Sequence, residues 1–391
     1  MLRASRCCRC AGTILWRPRS GLEGGGYKKR IEQGRGIGWF VDAAHHAAPS
    51  LEFFSLPRMS LFPLLMRIRS AQAKCATEGP WMALQVRNTE VAYQNAAKGD
   101  MLCEVRHTSF SRYPDMPLIV TSIPTKSLFV LETPHFRERF KLSLTSESEH
   151  RLQVDRPEHM QLLAARLVRL YEVAMACSTS YTGSLFSLME AAATSTALRR
   201  NRRVLVEVMQ LPVFSELQFP VETQMKPGAH NATLRGLRVT FRATTEYFRG
   251  GASGNLPVQI FLPNVVDTDG FLFLVADDPA NKMRLTRIGL VPNRVVVDRG
   301  LLNGMGRRGT SRYVRWSPTS ENSAMDDTFQ SQEIIITGSS FSGLDSYFIS
   351  VEAGEHAIHA FATRILAEIH ASKAAPPIGS KLDDDGKCAY Q

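Results

Sequence analysis

Arg238, Thr240, Arg242 and Thr244 alternate with Leu237, Val239 and Phe241. That period of two puts guanidinium groups on one face of a strand and apolar side chains on the other. Arginine forks match the geometry of phosphate oxygens, so the chemistry open to such a face is to hold a phosphodiester backbone. Arg235, Arg284, Arg287, Arg294, Arg307, Arg308, Arg312 and Arg315 crowd the same region, with Tyr313 and Trp316 interleaved where aromatic faces can stack on unpaired bases. Lys98 and Arg106, around a strand in the first half of the chain, complete the candidate set.

Other chemistry is thinly represented. The phosphate loop GxxxxGK[ST], the nucleophile elbow GxSxG and the zinc helix HExxH are absent. Neither an enzyme nor a cofactor or metal is expected. Gly34, Gly36 and Gly38 have the spacing of part of a dinucleotide loop but no strand before them. His356 and His359, beside Glu355, lack a second ligand cluster and read as a solvated helix face. Asp383, Asp384 and Asp385 precede Gly386 without the downstream glutamate of a calcium loop. Cys7, Cys8 and Cys10 crowd the N-terminus, and Cys75, Cys103, Cys177 and Cys388 are far apart with no CxxC pair. This spacing argues against a disulfide framework and fits a reducing compartment.

The chain has 391 residues and a formal charge of +10, unevenly spread. Residues 1–78 carry +8, 79–198 balance, 199–316 carry +9, and 317–391 carry −7. No apolar run approaches the roughly 20 residues of a membrane span. Arg3, Arg6, Arg9, Arg17 and Arg19 precede the first acidic residue, Glu23, a composition read as an organellar presequence. A second acid-free stretch, from Met59 through Arg67 and Arg69 to Lys74, reads as a second start. Residues 1–78 are therefore expected to be presequence and disordered leader, and residues 374–391 a disordered acidic tail.

The elements that would position the arginines recur. Strands are expected at Lys98–Arg106, Leu118–Ser122, Ser127–Glu132, Phe140–Leu144 and Arg151–Val154, then a helix at Asp155–Cys177 capped by Asp155 with Pro157 in its first turn. After a Ser/Thr/Ala-rich link, strands are expected at Val204–Val208, Leu234–Phe241, Val258–Leu262, Phe271–Val275, Met283–Leu290, Arg294–Val297, Arg312–Trp316, Glu333–Thr337 and Tyr347–Val351. A final helix carries Ile358, Phe361, Ala362, Ile365, Leu366 and Ile369 on one stripe. Val154, Glu158 and His159 match Val351, Glu355 and His356 at a constant offset, which marks an internal duplication. The expectation is an α+β domain over 79–373, with a first unit at 90–177 and a second at 199–373 that carries insertions.

Two units of several strands and one helix, in a basic chain with an organellar leader, resemble the Whirly fold. Lys98, Gly99, Asp100, Met101, Leu102 and Cys103 stand where plant members have KGKAAL, and Lys98, Gly99 and, further on, Val105 agree. Arg312–Trp316, Glu333–Thr337 and Tyr347–Val351 follow the family's order of three strands before a last helix, which begins Val351 and Glu355 at the same spacing. The resemblance implies a Whirly-like duplicated unit of about four antiparallel strands and one helix, with sheets packed and helices behind, assembling as tetramers. It also implies single-stranded nucleic-acid binding on the sheet face through phosphate and sugar, as in kinetoplastid mitochondrial RNA-binding proteins that anneal guide RNA.

The resulting expectation is a mitochondrial matrix protein that binds single-stranded RNA, in preference to DNA, and promotes annealing or stability in RNA processing or editing. It would act as a homo- or hetero-oligomer within a larger ribonucleoprotein. The alternatives are a structural subunit of such a particle and an organellar single-stranded-DNA-binding protein.

Overall fold

A computed structural model describes residues 26–69, 78–89, 93–94, 101–106, 113, 115–132, 139–143, 150–221, 230–246, 258–261, 267–277, 284–298, 313–316 and 344–374. The first unit runs α1 (Gly26–Ala47), β1 (Leu51–Ser55), β2 (Leu64–Ile68), β3 (Pro80–Asn88), β4 (Tyr93–Gln94), β5 (Met101–Arg106), β6 (Leu118–Ser122), β7 (Ser127–Leu131), β8 (Arg139–Ser143), β9 (Arg151–Gln153) and α2 (Pro157–Cys177). A connector of β10 (Thr182–Ser184) and α3 (Leu185–Ala191) leads to the second. That unit runs α4 (Thr196–Met209), β11 (Ala232–Leu234), β12 (Leu237–Glu246), β13 (Val258–Phe261), β14 (Gly270–Asp277), β15 (Arg284–Pro292), α5 (Asn293–Asp298), β16 (Tyr313–Trp316), β17 (Phe348–Ser350) and α6 (Glu355–Ala374).

The fold is α+β, and its two halves share one plan. The first sheet has the order β1-β2-β3-β6-β7-β9, with β10 beside the start of β3. The second has the order β11-β12-β14-β15-β17, and an isolated bridge from Gln218 to Thr233 stands outside β11 where β1 stands in the first. Each sheet is antiparallel except at its centre, where β3 pairs β6 and β12 pairs β14 in parallel. The remaining strands leave both sheets at equivalent points. β5 lies in the chain between the parallel strands and pairs β8, which lies just before the last strand; β13 and β16 do the same in the second unit. A helix opens each unit and another closes it. The duplicated unit is thus longer than the strands-then-helix repeat expected, and its sheets are mixed rather than wholly antiparallel. The parallel pair arises because a whole ribbon strand intervenes between its members, giving the crossover the length that a tight hairpin lacks.

The closing helices follow their stripes. Met160, Leu163, Leu167, Leu170 and Ala174 are the buried residues of α2. On α6 all six stripe residues, Ile358, Phe361, Ala362, Ile365, Leu366 and Ile369, are buried. The cap of α2 differs from expectation. Arg156 occupies the N-cap without a side-chain bond, and Asp155 instead pairs with Lys126 at 3.7 Å.

Three further expectations are corrected. The leader drawn over residues 1–78 is folded from Gly26 to Arg69, with Ile37, Phe40, Leu51, Phe54, Phe62, Leu64, Leu65 and Met66 all buried. Residues 1–25 lie outside the described residues. Met59 sits in the β1–β2 connection with a left-handed φ of 68°. Gly34, Gly36 and Gly38, whose spacing was set aside above as a dinucleotide loop, lie in α1, where Gly36 lets the helix touch the sheet. A Cβ there would meet Asn88 Cβ at 2.3 Å and Thr121 Oγ1 at 2.6 Å. Beside it, Gln33 donates to the Val86 carbonyl at 2.7 Å and accepts from the Asn88 amide at 3.0 Å.

The second and third corrections are strands that prove helical. Val204–Val208 lies within α4, because Ser195 caps that helix by accepting from the Leu198 amide at 3.2 Å and the apolar residues then fall at helical spacing. Arg294–Val297 lies in α5, where only Val296 is buried. Both runs are β-branched, and burial of one helical face outweighed that local preference. Glu333–Thr337 and the tail 375–391 lie outside the described residues.

One core serves both halves. Edge-to-face rings run from Trp81 to Phe54 (6.1 Å), to Phe219 (6.0 Å) and to Phe241 (5.8 Å), crossing from the first sheet to the second. A smaller cluster of Phe271, Phe273, Val275, Val291, Val296 and Leu344 covers the other face of the second sheet. Among the described residues no helix is long and apolar enough to cross a membrane.

Candidate nucleic-acid interface

The arginine face of β12 is only partly open to solvent. In register, Thr240 stands beside Phe271 and Arg242 beside Phe273, so they share the face covered by the smaller cluster. Thr240 is buried and bonds the Thr268 hydroxyl at 3.2 Å. Arg242 is half-buried on the same face, and desolvation holds its pKa below the usual arginine value. The alternation was read correctly; the error was to assume that one side of this sheet stays wet.

Three of the other described arginines of the set are already paired with carboxylates. Arg238 forks onto Asp269, with Nη2 to Oδ1 at 2.7 Å and its own amide to Oδ2 at 2.9 Å, and its Nη1 meets Asp267. Lys373, at the end of α6, reaches Asp269 at 3.4 Å, and His230 lies 3.4 Å from Asp267. Arg235 pairs with Glu216 at 3.0 Å and Arg294 with Asp298 at 3.4 Å. Arg284 is exposed at the start of β15, and Arg287 is partly buried opposite Ser350. Lys98, Arg307, Arg308 and Arg312 lie outside the described residues.

The Arg238 network is a latch between β12, the entry to β14 and the last helix. Burial alone would raise the pKa of Asp269, but the Arg238 side-chain and backbone hydrogen bonds and the charges of Arg238 and Lys373 outweigh it and lower the value below 3.8. The carboxylate therefore contributes stability that is complete above about pH 4 and is lost as pH falls through the folded value. Urea midpoints between pH 7 and pH 3 should fall steeply at the acid end. Asp269→Asn should be less stable at pH 7 and show a flatter acid limb; an unchanged limb would remove the latch as its cause.

Apart from Arg284 and Arg287 on β15, what remains of the candidate set lies on the two ribbons. In the first, Cys103 pairs Leu142 and Val105 pairs Phe140 at apolar positions, while Leu102 pairs Ser143, Glu104 pairs Lys141 and Arg106 pairs Arg139 on the alternate positions. In the second, Val258 pairs Trp316 and Ile260 pairs Val314, while Gln259 pairs Arg315 and Phe261 pairs Tyr313. Each ribbon thus has an apolar set of positions and a second set that holds its cations: Arg106, Arg139 and Lys141 in one, Arg315 with Tyr313 in the other. The structure brings Arg106 together with Arg139 and Lys141, which the sequence reading missed. The signal was available in the alternation of Arg139, Lys141 and Ser143 against Phe140 and Leu142. Trp316 falls on the apolar set, away from Tyr313 and Arg315.

A cavity of about 400 Å³ between α5 and α6 is lined by Arg294, Val295, Asp298, Glu368, Ala371 and Ser372. Its charges are engaged: Arg294 meets Asp298, and Glu368 accepts from the Tyr347 hydroxyl at 2.8 Å. His356 and His359 are exposed on α6.

No protein-family model matches this chain. A comparison with curated proteins gives no match. Among solved structures, a bacterial homing endonuclease, I-Ssp6803I, aligns over 38% of this chain and 96% of its own at 14% identity, with a TM-score of 0.24. A likeness at that score carries no argument about fold or function.

Proposed function

We propose that this protein binds single-stranded RNA through phosphate contacts along its two ribbons, and that it acts in mitochondrial RNA processing as an annealing or stabilising factor. The observation that carries this reading is the repetition of the ribbon: two equivalent antiparallel pairs, one with Arg106, Arg139 and Lys141 beside Glu104 on alternate positions, the other with Arg315 beside Tyr313. Arg106, Arg139 and Lys141 on one and Arg315 on the other would take backbone phosphates, and Tyr313 offers a ring for stacking. Two such elements on one chain can hold two segments of RNA and lower the repulsion between them, which favours pairing without reading sequence. The Whirly resemblance and the acid-free residues 1–22 support this from the sequence.

The test is filter binding of a homopolymer RNA across salt. Four neutralised phosphates on a single strand give a slope of log K on log salt of about −3, or roughly a 50-fold loss from 50 to 200 mM. Changing Arg139 and Lys141 together to Gln should weaken binding and reduce the slope. Arg235→Gln, whose charge Glu216 already meets, should leave it unchanged. Affinity insensitive to salt would overturn the reading.

A further inference from the structure

Several arginines of this fold sit where a carboxylate meets them: Arg67 with Glu52 at 2.6 Å, Arg235 with Glu216 at 3.0 Å and Arg294 with Asp298 at 3.4 Å. The first two turns of α4 depart from that pattern. They carry Arg199, Arg200, Arg202 and Arg203, with no acidic residue in the first turn. The unmet amides at that end of a helix carry partial positive charge, so carboxylates stabilise it and cations oppose it. Arg199 and Arg203 stand four residues apart on one flank, about 6 Å along the axis, and like charges at that spacing destabilise a helix. Arg202 turns inward between them and is 3% exposed.

Carboxylates do little to offset this crowding. Arg203 lies 3.6 Å from Glu190, with the two side chains 43% and 31% exposed, and so open a contact contributes little. Glu207, further along α4, is committed to the second sheet, where it accepts from the Leu285 amide at 2.7 Å. Arg199 is exposed, and no carboxylate among the described residues meets it. Arg202 bonds neutral acceptors in the β1–β2 connection: the carbonyls of Pro57 at 2.7 Å and Arg58 at 2.8 Å and the Ser60 hydroxyl at 3.1 Å. Burial pulls its pKa down to about 10, so it is still a cation at neutral pH. These placements are unfavourable to the fold by itself, and an anionic partner along this flank offsets all of them together.

The chemistry of that partner follows from the side chains. Guanidinium forks one helical turn apart suit successive phosphates of a flexible strand. The exposed Thr194 and Thr196, beside them, add hydroxyls that donate to phosphate oxygens. No large apolar side chain of α4 is exposed, and the apolar centre of a protein–protein interface is therefore lacking. The flank is also held in place. The Arg202 bonds and a bond from the Leu61 amide to the Ala192 carbonyl at 2.7 Å fix the start of α4 against the β1–β2 connection. We propose that this flank of α4 is a further contact surface for single-stranded RNA, with Arg199 and Arg203 taking successive phosphates and Arg202 adding positive field from beneath. The inference rests on the reading that the protein binds RNA, but not on the ribbons being the place.

Filter binding of poly-uridine by the full chain between 50 and 200 mM salt tests it. Changing Arg199 and Arg203 together to Gln should flatten the slope of log K on log salt by about 1.4, or roughly sevenfold over that range. The urea midpoint of this variant without RNA should hold or rise, because the repulsion is relieved. Arg35 and Arg169, exposed on α1 and α2, changed together to Gln remove the same charge elsewhere and should leave the slope unaltered. An unchanged slope in the α4 variant, an equal flattening in the control, or a lowered urea midpoint would each overturn the inference. If the α4 variant flattens the slope and the Arg139 and Lys141 variant does not, α4 stands and the ribbons fall. The reverse result removes α4 and keeps the ribbons. Binding by the unaltered protein that is insensitive to salt removes both.

Discussion

A chain that starts at Met59 is expected not to fold, whereas one that starts at Gly26 should unfold cooperatively. The shorter chain lacks α1 and β1, and with them Ile37, Phe40, Leu51 and Phe54, each buried to 6% exposure or less. At about 1.5–3 kcal/mol for each large apolar side chain, those four alone are worth roughly 6–12 kcal/mol. That is comparable to the whole stability of an ordinary domain, about 5–15 kcal/mol. The loss is also geometric. Without β1, all five residues of β2 from Leu64 to Ile68 lose their β1 partners and the sheet gains an open edge at β2. Without α1, the Val86 carbonyl and the Asn88 amide lose their bonds to Gln33. Urea unfolding followed by circular dichroism decides the matter; a sharp transition in the Met59 chain, at a midpoint near that of the longer one, would refute it. If a presequence is removed in the cell, its cleavage point is accordingly expected ahead of α1, not near Lys74.

Gly36→Val should be the most damaging single substitution in α1, at roughly 2–4 kcal/mol. Nothing in the backbone of Gly36 demands glycine, since the residue is helical; the demand is for space. Its absent Cβ would fall 2.3 Å from the Asn88 Cβ and 2.6 Å from the Thr121 hydroxyl, both on the parallel strands that α1 covers. Those neighbours cannot easily give. Thr121 is fully buried and donates to Asn88 Oδ1 at 2.8 Å, and the Asn88 amide is held by Gln33. Gly36→Ala should cost less, because alanine regains about 1 kcal/mol of helix propensity against the same clash. The order glycine, alanine, valine in urea midpoint is the expected result. A valine variant as stable as the original would mean that α1 does not sit this close to the sheet.

The two regions that these predictions concern were the least legible in the sequence. Residues 26–69 read as leader because an Arg-bearing, acid-free stretch precedes them and another begins at Met59, and the apolar residues of α1 do not form a clean stripe. The helix exists because its glycine allows close approach to a sheet whose third strand, β3, was itself not anticipated. By contrast β5, β6, β7, β8, β14 and the two closing helices were legible, because each announces itself within its own few residues by a period of two or of 3.6. The duplication was also visible, from a constant offset between two helix entries, although its full extent was not.

The sequence by itself determined the class of the fold, the two closing helices, the repeat and the presence of many arginines at strand periodicity. Those follow from neighbours in the chain, and local patterns record them. Only the tertiary structure decided what each arginine faces. Arg238 is neutralised by Asp269, 31 residues away, and Arg202 holds the carbonyl of Pro57, 145 residues away. Arg242 is half-buried on the face that carries Phe271 and Phe273, which alternation alone leaves open. A charge is defined by its surroundings, and at these distances the surroundings come from the fold.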